Sequence, residues 1–184
     1  MRELGRIIST ATENITKNYF QLTLQGQNTV IFRERVYCYE LYHQMRCNWP
    51  ENGYKICGEI DKRGHPILRN TRESPDFLVH TPGEDGNYAI IEVKPANFSR
   101  AGLIKDFITI TNFMGNNGAN YERGICLIYG DTQRLINKIN NAVLHFANNG
   151  GDASSIEIWH HPVVGERARH ISILGTKAVT DNNQ

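Results

Sequence analysis

The chain has 184 residues, of which 40% are hydrophobic and 21% charged, and its formal net charge is +1. Those values fit a single soluble domain spanning 1 to 184 with one real core. They exclude the strongly basic exterior of a protein that grips nucleic acid over its whole surface, so a polyanion partner must meet a local patch. No apolar run reaches membrane-spanning length and MRELGRIISTATENITKN lacks the apolar centre of a secretory signal; neither membrane nor export is expected, and the cytoplasm is the expected location.

In chain order, residues 1 to 28 suggest a short helix or arm, with Ile15, Tyr19 and Leu22 at helical spacing before the breaker GQNT. From Val30 to about Cys47 there is no Gly or Pro, and Tyr37, Cys38, Leu41 and Met45 form an i, i+3, i+4 stripe, which predicts a helix. Residues 48 to 66 are crowded with turn formers around a short strand at Tyr54 to Ile60 and a turn at Lys62 to Gly64. Phe77 to Thr81 and Tyr88 to Val93 read as strands joined by PGEDG, a hairpin.

Ser99 is placed to cap a helix ending at Gly115, with Leu103, Ile104, Phe107, Ile108, Thr111 and Met114 inward and Lys105 and Asp106 on the polar side. GICLIYG at 124 to 130 predicts a buried strand. A helix from Asp131 or Thr132 follows, with Leu135, Ile136, Ile139, Val143 and Leu144 inward. SIEIWHHP at 155 to 162 reads as a last long strand, with a further one at HISILGT before a polar tail. Helices and strands in this order predict an α/β sandwich, a mixed sheet covered on both faces. Cys38, Cys47, Cys57 and Cys126 lie too far apart for zinc or redox spacing and read as reduced thiols.

The hairpin carries the chemistry. Side chains alternate along a strand, so Glu92 and Lys94 share one face with Ile90. Centring the connection on Glu84 pairs Thr81 with Asn87, Val79 with Ala89, and Asp76 with Glu92. Like charges directly opposite on neighbouring strands destabilise a sheet, which calls for a cation between them. Lys94 supplies one charge and a divalent ion two, and paired carboxylates with water and phosphate oxygens suit magnesium. Such an ion acidifies its water and neutralises charge building on a phosphate. Lys94 is then placed to orient or deprotonate the attacking water or to stabilise the phosphorane; the sequence does not separate these roles.

Pro75-Asp76, fifteen residues and then Glu92-Val93-Lys94 resemble the signature of the PD-(D/E)XK nuclease superfamily. The wider wording PDFLVH, G, N, IEVK is similar to small stand-alone bacterial members. The resemblance implies a restriction-endonuclease-like αβββαβ core over residues 30 to 160. It implies Mg2+, with Mn2+ able to substitute, held by Asp76, Glu92 and the main-chain carbonyl of Val93. It places Lys94 at the attacking water and Glu40 as the acid of the preceding helix. The activity implied is a metal-dependent phosphodiesterase, an endonuclease more than an exonuclease, acting on DNA rather than RNA. A homodimer or larger complex and a defence or repair role are implied by the same analogy. The competing expectation is a non-catalytic nucleic-acid-binding or partner-binding subunit on the same fold.

Ordinary roles stand beside these. Asp76 fits a turn, and Glu92 with Lys94 fits a solvated pair. Glu40 fits a surface neighbour of Arg35 or Arg46, and Gln44 a backbone-bonded amide. His80 fits a satisfied sheet histidine. Lys62, Arg63, Arg69, Arg72, Arg100 and Lys105 form either a phosphate-gripping patch or solvated charge, and His160, His161, Arg167 and Arg169 match no metal spacing.

Overall fold

The computed structural model describes residues 3–26, 29–51, 53–58, 74–84, 86–115 and 119–178. In chain order it has α1 (Leu4–Glu13), α2 (Lys17–Phe20), β1 (Leu22–Thr23), β2 (Val30–Ile31), α3 (Glu34–Cys47), β3 (Lys55–Gly58), β4 (Phe77–His80) and β5 (Asn87–Pro95). There follow α4 (Arg100–Met114), β6 (Arg123–Tyr129), α5 (Leu135–Asn148), β7 (Ile156–His161) and β8 (Arg169–His170). β3 to β8 form one six-stranded sheet in sequence order. The hairpin strands are antiparallel, β5, β6 and β7 run parallel, and β8 returns antiparallel on β7.

Helices cover both faces, so the α/β class and mixed sheet expected from the sequence are present. Ala89, Ile91 and Val93 of β5 and Ile125, Leu127 and Tyr129 of β6 pack against α1 and α3. The alternate residues, Ile90, Cys126, Ile128, Ile156 and Ile158, pack against α4 and α5. After Arg123 at its start, β6 is buried and apolar from Gly124 to Tyr129, as central parallel strands are. Among the described residues no helix is long and apolar enough to cross a membrane.

Several elements depart from the sequence expectation. Of the short helix or arm expected near the start, the helix is present but on another stripe: Leu4, Ile7, Ile8 and Ala11 lie fully inside the core at i, i+3, i+4, i+7 on α1, while Tyr19 is exposed. That helix presses so close to β7 that a Cβ on Gly5 would stand 2.9 Å from Trp159. The helix expected from Val30 begins at Glu34, because Val30 and Ile31 pair with Thr23 and Leu22 as a short ribbon; branched residues suit that pairing better than a helix. On α5 the inward set is Leu135, Ile139, Ala142, Val143 and Phe146, leaving Ile136 and Leu144 exposed. The expected end of the strand at Ile60, the turn at Lys62 to Gly64, the basic residues Lys62, Arg63, Arg69 and Arg72, and the tail at 181 to 184 lie outside the described residues.

One buried ion pair ties β6 to β7. Glu157, 1% exposed, accepts two hydrogen bonds from Arg123, at 2.9 and 2.7 Å, and one from the Trp159 indole at 3.2 Å. These partners hold the Glu157 carboxyl below its ordinary value against the opposing effect of burial. Stripping one member of such a pair leaves an uncompensated buried charge, at a cost of about 3–5 kcal/mol. Lys177 stands 3.5 Å from the same carboxylate and keeps part of the compensation, so Arg123→Ala is expected to lower the urea unfolding free energy by an amount at the lower end of that range. Arg123→Met combined with Glu157→Leu is expected to recover most of the loss.

Candidate functional site

The hairpin closes as the sequence predicts, with one irregularity. Phe77, Leu78 and Val79 stand opposite Ile91, Ile90 and Ala89, and a bulge after Val79 then sets His80, rather than Thr81, opposite Asn87. The connection is tight: the Thr81 amide donates to the Gly86 carbonyl at 2.8 Å, and Gly83 takes φ +80°, a conformation glycine adopts freely. Below the bulge the register continues to Asp76 opposite Glu92, and their side chains are hydrogen-bonded to each other.

A local reason holds Asp76 there. The β4 ladder ends at Phe77, and the residue in register with Val93 is Pro75, which has no N–H to offer. The Asp76 carboxylate takes over as the partner, accepting the Val93 amide at 2.7 Å. A strand residue points its N–H and C=O to the same edge, so the Val93 carbonyl faces the Asp76 side.

Lys94 follows on the face of Glu92, between α3 and α4. Its ammonium lies 3.0 Å from Glu34 and 3.2 Å from Asp106. Neither acid was anticipated, and Asp106 corrects the expectation that it sits on the polar side of α4: it is 5% exposed, on a stripe with Leu103, Phe107, Ile110 and Phe113. An acid is tolerated at that inward position because Lys94 reaches it. The spacing 103, 106, 107, 110 was visible in the sequence as a core stripe with one acid in it.

Burial dominates the electrostatics. It raises the Asp76 carboxyl to about 6, against the lowering effects of the Val93 amide and Lys94. Burial and the neighbouring Asp76 and Asp106 carboxyls push Glu92 well above the carboxylate range. Asp106 is raised to about 7, again by burial, with Lys94 opposing. Burial alone would lower the Lys94 ammonium, but Asp106 and Glu34 outweigh it and hold the group above the ordinary lysine value. The site is thus rich in acid oxygens and short of positive charge, and it retains protons near neutrality.

The acid that α3 brings to this site is Glu34, whose charge acts on Asp76, Lys94 and Asp106. Glu40, assigned that role from the sequence, instead accepts a 2.8 Å hydrogen bond from the Gln44 side chain. Six residues at 100° each turn it about 240° around the helix from Glu34. Gln44 therefore bonds to a side chain, not to backbone as expected. His80 sits at the far end of β4, and the histidines of β7 are engaged in the fold: His160 with the Gly130 carbonyl at 2.9 Å and His161 with the Tyr37 hydroxyl at 2.9 Å. Arg167 pairs with Glu13 at 2.8 Å.

Among the described residues no three His, Cys, Asp or Glu side chains converge as a ready-made metal cage. Two touching carboxyls with an adjacent main-chain carbonyl are nevertheless the donor type that magnesium takes, since it binds one or two carboxylates and keeps several waters. A cleft of about 400 Å3 opens beside them, lined by Cys38, Tyr39, Tyr42, Gly58, Asp76 and Phe77. Comparison with family models, with curated proteins and with solved structures finds no match for the chain.

Proposed function

We propose that the protein is a Mg2+-dependent nuclease of the PD-(D/E)XK type, with a restriction-endonuclease-like core, hydrolysing phosphodiester bonds in DNA. The observation that carries the reading is the contact between Asp76 and Glu92, with the Lys94 ammonium two residues further along the same strand face. Burial raises the proton affinity of both acids, and Asp76 raises that of Glu92 further; two such oxygens side by side favour a shared proton or cation. A fold needing only stability would gain by replacing them with apolar residues.

Asp76, Glu92 and the Val93 carbonyl would hold the metal, which supplies a Lewis acid for the phosphate and an acidified water. The protein's own groups do the rest. The Val93 amide fixes the Asp76 carboxylate, so the first acid is oriented before any ligand arrives. Glu34 and Asp106 keep Lys94 charged and aimed along the face of Glu92; a charged ammonium donates hydrogen bonds and stabilises developing negative charge rather than accepting a proton. Of the roles left open for Lys94, its raised affinity for the proton favours stabilising the phosphorane or orienting water over deprotonating it.

The second reading, a non-catalytic binding subunit, is favoured by the same pairing, since Lys94 is already satisfied by two acids. Incubating the protein with linear, supercoiled and single-stranded DNA, in Mg2+, in Mn2+ and in EDTA, separates the two. Metal-dependent cleavage lost in Asp76→Ala supports the nuclease. Cleavage that survives that substitution removes the assigned site, and binding without cleavage under either metal favours the subunit.

A further inference from the structure

The face of α3 that borders the cleft has a pattern of its own. Arg35, Tyr39, Tyr42 and Arg46 follow at i, i+4, i+7 and i+11, which at 100° per residue keeps all four within about 60° of one another over about 16 Å of helix. Arg35 and Arg46 are exposed and Tyr39 is 59% exposed, a large aromatic left in water. Tyr42 lies parallel to Phe77, at 7° between planes, and both line the cleft. Asp76 lines the same cleft, so its aromatic walls adjoin that acid.

A cleft of this size with aromatic walls and one convergent polar group is the usual form of a small-ligand site. Cation, aromatic, aromatic, cation along one helix face is the arrangement that holds single-stranded nucleic acid: guanidinium groups take phosphates and rings take base faces. A paired base offers no such face, because its neighbours in the duplex already cover it. The net charge of +1 likewise suits a narrow track better than a broad duplex footprint.

We infer that the Arg35–Tyr39–Tyr42–Arg46 face of α3 and the adjoining cleft bind an unpaired nucleotide, its base on Tyr39 and its phosphate directed to Asp76, so that the protein acts on single strands or frayed ends. The direction of the phosphate rests on the nuclease reading; the binding of the base does not. Stacking of a base on an aromatic side chain is sequence-tolerant, so this site selects strand state rather than sequence.

The test is equilibrium fluorescence anisotropy in EDTA with a labelled DNA single strand, the blunt duplex of the same sequence, and the matching RNA strand, on the full chain and on Tyr39→Ala and Tyr39→Trp. Tyr39 is exposed, so neither variant disturbs the core. The single strand is expected to bind at least tenfold tighter than the duplex. Tyr39→Ala should weaken it fivefold or more, and Tyr39→Trp should retain affinity. Equal binding of RNA supports the assignment, since base faces and not sugars are read. Duplex affinity within tenfold of the single strand, or a smaller loss in Tyr39→Ala, overturns it. Cleavage is scored separately: Asp76-dependent cutting of duplex alone overturns this inference and leaves the nuclease reading standing. Single-strand binding with no metal-dependent cleavage does the reverse.

Discussion

Lys94→Ala is expected to lower single-turnover cleavage by about 10³-fold or more, within the range lost when a positioned catalytic side chain or an electrostatic stabiliser is removed. The substitution leaves Asp76, Glu92 and the Val93 carbonyl in place, so metal binding should survive it. The fold should survive too, because Asp106, already raised to about 7 with Lys94 present, takes up a proton when the ammonium is gone. Glu34→Gln and Asp106→Asn act on the same group from outside. Each removes one of the two ion pairs at 3.0 and 3.2 Å, and each should cost about 10–100-fold, the scale for residues that orient a functional group. Glu40→Gln, on the other side of α3, is expected to leave the rate within about twofold, its bond to Gln44 being worth roughly 1 kcal/mol to the helix. Circular dichroism on each variant separates a lost rate from a lost fold. A Lys94→Ala rate within tenfold of the parent, or a Glu40→Gln loss as large as that of Glu34→Gln, contradicts the roles assigned here.

What could be foreseen from the residues, and what could not, divides along one physical line. The hairpin, its register and the contact of Asp76 with Glu92 follow from interactions short in sequence: alternation along a strand, the turn chemistry of PGEDG, and one pairing sum. Glu34 lies far from Lys94 in the chain, and Asp106, though near it, meets it only through the way α4 packs on the sheet, which no local pattern reports. Hydrophobic periodicity treats any acid on a helix as surface, so it assigned Asp106 outward although the residues around it form the buried stripe. Glu40 is the acid that the resemblance and its place beside the apolar stripe single out, on a helix expected from Val30. The ribbon of Val30 and Ile31 with Leu22 and Thr23 moved that start, and with it the acid that enters the site. On α5, apolar residues extend around more of the circumference than one face can bury. Only the position of α4 and the sheet decides that Ile136 and Leu144 remain outside.

Binding of Mg2+ is expected to stabilise the protein strongly at pH 8 and scarcely at pH 5. The acids explain the sign. In the metal-free fold Asp76 is raised to about 6 and Asp106 to about 7, and Glu92 stands well above the carboxylate range, against ordinary values near 4 in the unfolded chain. The folded state therefore binds more protons than the unfolded one, and Asp76 and Asp106 contribute stability that is full below about pH 4 and lost as pH rises through 6 to 7. Asp76 alone, raised to about 6, accounts for a loss on the order of 3 kcal/mol. His161 acts in the opposite sense: burial lowers it to about 4, so it destabilises the fold as pH falls below 6.5, and a plain pH profile of stability would mix the two. Comparing Mg2+ with EDTA at each pH cancels His161, because it is present in both arms. A metal competes with the protons on Asp76 and Glu92, so its stabilisation grows as they leave. At a hundred times its Kd the ion contributes about 2.7 kcal/mol, which for a chain of this size raises Tm by about 5–10 °C. At pH 5, with the pair protonated, the shift should shrink to about 1 °C, and Asp76→Asn should abolish it at pH 8. A shift of equal size at both pH values, or one that persists in Asp76→Asn, would place the ion elsewhere on the protein.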